Sequence, residues 1–561
     1  MNFPSPQPND SSSHPPFNFS CRFWFIVVLT GAGTGVGAGL LMLIMHGIQH
    51  LCYSYRTGDF QSAVERASGL RRVIIVSLAG VIAAVGVWLL KHAPGGRVGK
   101  VDDAIWFRSG KIASTKTIIQ AVLSVVIVGM GASLGREAAP KETGAAIASR
   151  LSRWAGLSSA ETRLLVACGA GAGMGAVYNV PLGGALFALE VLLGSVTLPL
   201  IPPALATSFI ATAVSWLFLP AEPTYLIPTY AISTSQILFA IVFGPIAGVA
   251  STLFVKLILR AEGVRPRRGI AMAAPLFVFV VLGLASIKFP QLLGNGKGVT
   301  QLTLLDRIGL PLLAILVLLK PLATSACVAS GAPGGLFTPS LTFGALLGGM
   351  GGDIWSVFWP GATPGSYAVL GGAAVLAATM QAPLAAIVLV LELTHHVTTI
   401  MVPILVSVAG ASLTARIIDR RSVYSGSTHK GRKLQPTPPQ GKDIVADPLS
   451  QDFVTVSISA NYAEVLERLL ATHSGQSRPL YVLNENAQLV GRIRIESTLC
   501  PPPLAPVLAT AAAGDLVEPI EPLDLSLARA TINARLLADP TGELPVTDRK
   551  TGHLLGVVRR P

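Results

Sequence analysis

The sequence predicts an all-α polytopic membrane protein followed by a small soluble α/β module. Three observations carry that expectation. Of the 561 residues, 51% are hydrophobic and only 13% are charged. A soluble domain carries roughly 25% charged residues, so lipid is read as the main solvent. Apolar segments long enough to cross a bilayer, which takes about 20 residues, recur between Phe23 and Ile418. That pattern then stops, and a basic stretch (Arg420, Arg421, Lys430, Arg432, Lys433) leads into residues of ordinary soluble composition.

Each element follows in chain order. Residues 1–20 are rich in Pro, Ser and Asn and contain no Lys or Arg. A secretory signal needs a basic start before its apolar core, so this stretch is read as a disordered cytoplasmic tail. Spanning candidates follow at Phe23–Met45, Val73–Leu90, Thr117–Met130, Leu164–Leu193, Pro203–Phe218, Ile237–Leu259, Ala271–Ile287, Leu310–Ala329, Gly334–Met350, Val369–Leu393 and Ile400–Ile417. Several are short or interrupted by Gly-rich tracts such as GAGAGMGA (170–177) and GAPGGLFTP (331–339). Irregular backbone at membrane depth is tolerated where it lines a site or is buried in protein. The basic exit after Ile418 points to a cytoplasmic C-terminus. The expected divisions are a tail at 1–20, a membrane domain at 21–433, a Pro/Gln-rich linker at 434–442 and a soluble module at 443–561.

A net charge of +13 raises nucleic acid as a partner. No basic stripe is interleaved with aromatics, and basic residues commonly decorate cytoplasmic loops of membrane proteins, so no nucleic acid is expected. The five cysteines lie far apart with no CxxC or Cys/His cluster, which predicts neither a disulfide framework nor a metal site. GASLG (131–135) matches the G-x-S-x-G nucleophile elbow in form. That elbow needs a strand before it and a helix after it; Ser133 follows a Val/Ile/Gly run of spanning type, so an intramembrane hydrolase, and enzyme activity generally, is not expected. GNGKG (294–298) lacks P-loop spacing. His395 and His396 have no acids spaced to share a metal with them.

The membrane region repeats internally. NVPLGGALFALE (179–190) is similar to QAPLAAIVLVLE (381–392), with Pro181 matching Pro383 and Glu190 matching Glu392 at an offset of 202 residues. Gly135 and Gly144 lie 200 residues before Gly335 and Gly344. Paired Gly/Pro-broken segments in two halves point to a transporter's binding site. Glu137, beside Arg136 after an apolar run, is the most informative charge. A charge at the centre of a spanning helix costs about 2.5–3.5 kcal/mol, so it faces a cavity or a partner. It reads either as a structural Arg136–Glu137 pair or as a carboxylate competing with anions for the exposed amides of a helix N-terminus.

On these motifs the chain resembles the CLC family of chloride channels and proton-coupled chloride transporters. The resemblance runs from about Phe23 to Lys430 and rests on GREAAP (135–140), NVPLGGALFALE (179–190), GAPGGLFTPSLTFGALLG (331–348) and QAPLAAIVLVLELT (381–394). It implies a dimeric inverted-repeat bundle of about eighteen helices in the cell membrane, both termini cytoplasmic, with an anion path in each subunit. Glu137 is implied as the gate that occupies an anion site when ionised. Tyr424 is implied as the inner gate and an anion contact; an aromatic just past a membrane exit also serves as an interfacial anchor. Gly96, Arg136, Ala138, Leu336 and Phe337 are implied as further anion contacts.

Three departures from the family pattern stand out. Gly96, in GGRVG (95–99), stands where the family's serine would offer a hydroxyl, with Arg97 beside it. GREAAP delays its proline by one position and places Lys141 just beyond. Val191 stands where proton-coupled members have a second glutamate that relays protons. An aliphatic side chain carries no proton, so a voltage- or pH-gated channel is expected over a proton-coupled antiporter. Glu190, with its repeat mate Glu392, is read as structural.

The C-terminal residues contain two similar halves, 454–493 and 516–558. Each is read as a strand, a helix and a hairpin, with Gly491 and Gly556 at matching places. The pair resembles tandem CBS domains. The nucleotide-contacting residues of that family are not evident, with Arg494 and Ser497 near the first pair; no cofactor is expected, and adenine-nucleotide sensing and a purely structural role both stay open.

Overall fold

The computed structural model describes residues 19–54, 59–92, 99–265, 270–395, 398–424, 453–471, 479–493, 512–523, 535–536, 539, 541, 543–548 and 551–559. These fall into two compact units, one ending at Tyr424 and one beginning at Phe453.

The first unit holds α1 (Cys21–Tyr53), α2 (Phe60–Arg66), α3 (Gly69–His92), α4 (Val101–Phe107), α5 (Ser114–Gly129), α6 (Ala138–Trp154), α7 (Ser159–Tyr178) and α8 (Pro181–Leu186). It continues through α9 (Ile201–Ser215), α10 (Thr234–Gly263), α11 (Ile270–Lys288), α12 (Lys297–Leu304), α13 (Leu310–Ser330), α14 (Phe337–Phe358), α15 (Pro364–Met380), α16 (Pro383–Thr394) and α17 (Met401–Ile418). Among the described residues, six helices are long and apolar enough to cross a membrane. They carry outward-facing Leu, Ile, Val, Phe and Trp side chains, as a lipid-facing surface requires.

Most apolar runs become helices close to where their patterns begin and end. Two long runs, Leu164–Leu193 and Val369–Leu393, are each two helices instead of one. Asn179 and Gln381 adopt left-handed conformations (φ 56° and 58°) that close α7 and α15. Pro181 and Pro383 then open α8 and α16, since proline has no N–H to lose at a helix start. A π-helical segment, Phe187–Leu193, continues α8. The apolar-run reading also missed α6, whose Lys141, Glu142, Arg150 and Arg153 mask an element largely buried in protein.

The two halves are tied together by reciprocal contacts. Glu190 accepts the amides of Leu384 and Ala385 (3.3 and 2.6 Å) at the start of α16. Its mate Glu392 accepts those of Leu182 and Gly183 (3.0 and 2.6 Å) at the start of α8. Each carboxylate therefore caps the other half's broken helix, where unpaired amides and the helix dipole favour negative charge. Glu190→Gln with Glu392→Gln is expected to lower stability by about 1–3 kcal/mol, read as a drop in melting temperature of the detergent-solubilised protein. An unchanged melting temperature would remove the capping role.

Small residues let the helices cross closely. Gly144 of α6 faces the carbonyl of Gly169 in α7, and Gly344 of α14 faces that of Gly371 in α15. A Cβ at any of the four would collide with the opposite backbone. Lys320, buried in α13, donates to the carbonyls of Gln291, Leu292 and Gly294 (3.2, 2.9 and 3.0 Å), so its charge is held by backbone dipoles.

In the second unit β1 (Val454–Ser457) pairs in parallel with β2 (Leu480–Leu483), which pairs antiparallel with β3 (Leu489–Ile493). Helix α18 (Tyr462–Ala471) connects β1 to β2. The second half contributes the antiparallel pair β4 (Glu543–Thr547) and β5 (Leu554–Arg559). A small apolar core lies in each half. The Tyr481 hydroxyl donates to Glu543 (3.1 Å), and the buried Arg492–Asp539 pair (2.8 Å) adds a second link between halves.

Candidate functional site

The site forms where two helices start against each other. The chain leaves α5 at Met130, and Gly131 takes φ 115°; the repeat mate Gly331, after α13, takes φ 87°. Neither angle suits a side chain. The segments that follow approach as a single antiparallel bridge, in which Gly135 and Gly335 each donate to the other's carbonyl at 2.8 Å. This bridge sets the N-termini of α6 and α14 side by side, both with positive partial charge.

Glu137 is the residue before α6 and is 2% exposed. Its Oε1 accepts the Phe337 amide at 2.6 Å, the first amide of α14. Its Oε2 lies 3.2 Å from the hydroxyls of both Tyr178 and Thr338, and the two hydroxyl oxygens are 2.6 Å apart, so two protons serve these three contacts. The carboxylate therefore sits where an anion would meet a helix N-terminus. Gly135 and Gly335 flank it so closely that a Cβ on either would strike its oxygens.

Arg136 makes no ion pair with Glu137 among the described residues. Its guanidinium lies over the Tyr178 ring, 4.9 Å from the centroid, and its Nε is buried without a partner among the described residues. Arg136 thus braces the tyrosine that holds Glu137, and it does not line the adjoining cavity. Leu336 precedes the first turn of α14, and its carbonyl accepts from Ser340. Leu336 and Ala138 both line a cavity of about 660 Å³ that opens beside this junction.

Tyr424 lies on the same cavity, 8% exposed, with Phe187 edge-on to its ring at 5.4 Å. Its hydroxyl is buried and has no hydrogen-bond partner among the described residues. Gly96 and Arg97 lie outside the described residues, as do His396, Arg494 and Ser497. Val191 lies on the π-helical segment and packs half-buried against the core. Ser133 shares a 3.4 Å contact with the Thr324 hydroxyl in a buried turn after a helix, without the preceding strand that a nucleophile elbow requires.

Sequence reading brought Glu137, Ala138, Leu336, Phe337 and Tyr424 to one region, and the fold places them there. It missed Tyr178 and Thr338. Tyr178 carried a signal: a tyrosine one residue before NVPL, closing a helix otherwise built of Gly and Ala. Thr338 lies inside the GLFTP stretch, whose neighbouring amides had drawn the attention.

Comparison with known proteins identifies the family and the fold. The profile of the voltage gated chloride channel family, Voltage_CLC, matches residues 78–416. A ClcB-like protein of Ralstonia nicotianae is 32% identical over 372 residues, covering 64% of this chain and 86% of that relative. The voltage-gated ClC-type chloride channel ClcB of Citrobacter koseri is 29% identical over 66% of this chain and 90% of its own length. Among solved structures, a slow cyanobacterial Cl-/H+ antiporter superposes with a TM-score of 0.65 at 21% identity, covering 74% of this chain and 99% of that one. A eukaryotic CLC transporter gives 0.61 at 19% identity, with 96% and 98% covered. With the family profile matched across most of the membrane unit and the two glycine-bridged helix starts in place, this chain belongs to the voltage-gated chloride channel (CLC) family.

Proposed function

We propose that this chain passes chloride and similar small anions through its membrane unit as a channel gated by Glu137. The observation that carries the reading is the Glu137 carboxylate seated on the first amide of α14. A carboxylate and a permeant anion compete for the same unpaired amides. Ionised, the side chain blocks; protonated, it loses the charge that holds it there and the path opens. Tyr424, whose buried hydroxyl has no partner among the described residues, suits an inner gate and a second anion contact. Ala138, Leu336 and Phe337 supply the helix starts along the path, and Arg136 keeps its part by positioning Tyr178.

Val191 favours a channel over a proton-coupled exchanger, because the position lacks a group that could take up a proton. Relatives named as ClcB channels support the same choice of ion. We further assign the protein to the cell membrane as a homodimer with both termini cytoplasmic, and the second unit to a CBS-like regulatory pair. Adenine nucleotide remains an optional ligand of that pair, and a structural role is the other.

The test is reconstitution in liposomes under a chloride gradient, with external pH recorded during anion efflux. Anion flux without stoichiometric proton movement is the expected result. Proton uptake driven against its own gradient by chloride would replace the channel with an exchanger. No anion flux at all would remove the transport reading.

A further inference from the structure

The Glu137 carboxyl is held by more than an amide. Glu137, Tyr178 and Thr338 are all buried, so their polar atoms depend on one another. The Glu137 Oε2 and the two hydroxyl oxygens form a triangle with sides of 3.2, 3.2 and 2.6 Å. An amide N–H only donates, so the Phe337 amide serves the carboxyl as an acceptor alone. A hydroxyl both donates and accepts. With Glu137 ionised, two hydroxyl protons serve three contacts, and one contact lacks a proton. With Glu137 protonated, a third proton completes the ring: Oε2 donates to one hydroxyl, that hydroxyl donates to the other, and the other donates back to Oε2. Each member of such a ring polarises the next and strengthens it.

The charges around Glu137 leave this triangle to itself. Arg136 is turned onto the Tyr178 ring, 4.9 Å from its centroid. Lys141 faces Glu137 from the first turn of α6 and is itself faced by Asp102 and Glu142. Helix α7 carries no charged side chain after Arg163, and α14 none before Asp353. The phenols of Tyr225 and Tyr424 complete the titratable surroundings.

We propose that Tyr178 and Thr338 form a hydroxyl latch that retains the Glu137 carboxyl after it is protonated, and so set how far the path opens at low pH. The proposal rests on the reading of Glu137 as the gate. Loss of charge weakens the hold of the Phe337 amide, while the completed ring keeps part of the hold. Opening breaks that ring and leaves one of the two hydroxyl protons without its acceptor until an anion arrives. Tyr178 and Thr338 are thus positioning residues, which act on conduction through Glu137.

Chloride efflux from liposomes is measured across a pH series for Tyr178→Phe and Thr338→Val in the full-length protein, each in the wild-type, Glu137→Gln and Glu137→Ala backgrounds. Both substitutions keep the shape of the side chain and remove one hydroxyl, and either tests the latch where the other fails to fold. Each is expected to raise acid-side flux by about threefold, the size of one neutral hydrogen bond. The same rise is expected with Glu137→Gln, whose carboxamide N–H groups donate to the same hydroxyls. Thr338→Ser keeps the hydroxyl and should stay at the wild-type rate. Glu137→Ala has no head group to latch, so neither substitution should raise its flux. Unchanged acid-side flux in Tyr178→Phe or in Thr338→Val overturns the latch, as does an equal rise in the Glu137→Ala background. A wild-type pH profile retained in Glu137→Gln overturns the gate itself, whereas a flat profile there with unaltered hydroxyl variants overturns the latch alone.

Discussion

Glutamine at position 137 is expected to leave anion flux running and to flatten its dependence on pH. In the wild-type protein the ionised carboxylate holds the Phe337 amide at 2.6 Å and two hydroxyls at 3.2 Å. Hydrogen bonds to a charged acceptor are roughly twice as strong as neutral ones, so the ionised side chain competes well with a permeant anion. The sign of the pH effect follows. Lowering pH raises the protonated fraction of Glu137, by up to about tenfold per pH unit while that fraction is small. Wild-type flux is therefore expected to rise as pH falls. A carboxamide has the same shape but no charge to lose, so Glu137→Gln should run near the acid-side rate at every pH. The measurement is chloride efflux from liposomes across a pH series. A wild-type pH profile retained in Glu137→Gln would mean that another group gates the path.

The second large effect lies at the helix crossings. Valine at Gly144 is expected to destabilise the membrane unit by about 3 kcal/mol or more, as overpacking against backbone does. The collision is with the carbonyl of Gly169, which belongs to a helix and has no rotamer to change. Gly344→Val, against Gly371 in the other half, is expected to match it, because the two crossings occupy equivalent places in the repeat. Gly47→Ala in α1 provides the contrast, since nothing lies within 4 Å of the new methyl. It should be neutral or stabilise by about 0.5–1 kcal/mol. Monodisperse yield and melting temperature in detergent read all three. If Gly144→Val melted with the wild type, the close crossing would not be needed for the fold.

The α6–α7 and α14–α15 crossings also explain why the two halves of this chain are recognisable. A glycine that meets backbone leaves no room for a side chain, so Gly144 and Gly344 match between the halves while the apolar residues around them differ. Glu190 and Glu392 are fixed for a similar reason: each serves amides that have no other partner. The same constraint separates Val191 from its neighbour. Glu190 points to the other half's helix start, whereas Val191 packs against the core and leaves no acid there.

Much of this was legible from the chain alone. The charge deficit and the apolar runs determined a membrane bundle, because lipid cannot hydrate charge or unpaired backbone. The repeated Pro and Glu positions determined two related halves, and the resemblance of GREAAP and GGLFTP to one family placed Glu137 and Phe337 at the site. The apolar run did not separate α7 from α8, although Asn179 and Pro181 mark the break between them. Apolar periodicity does not register a reversal at a single residue.

The tertiary structure alone decided which group meets which. Tyr178 and Thr338 hold the Glu137 carboxylate from 41 and 201 residues away. Arg136, adjacent to Glu137 in sequence, turns to the tyrosine ring instead of the carboxylate. Lys141 reaches Tyr424 although 283 positions separate them in the chain. These partners are set by how helix starts are brought together across the repeat, and hydrogen bonds and charge contacts act over a few ångströms regardless of separation along the chain. Composition and pattern thus determined the solvent and the halves, and the resemblance to one family pointed to the carboxylate; only packing decided what holds that carboxylate in place.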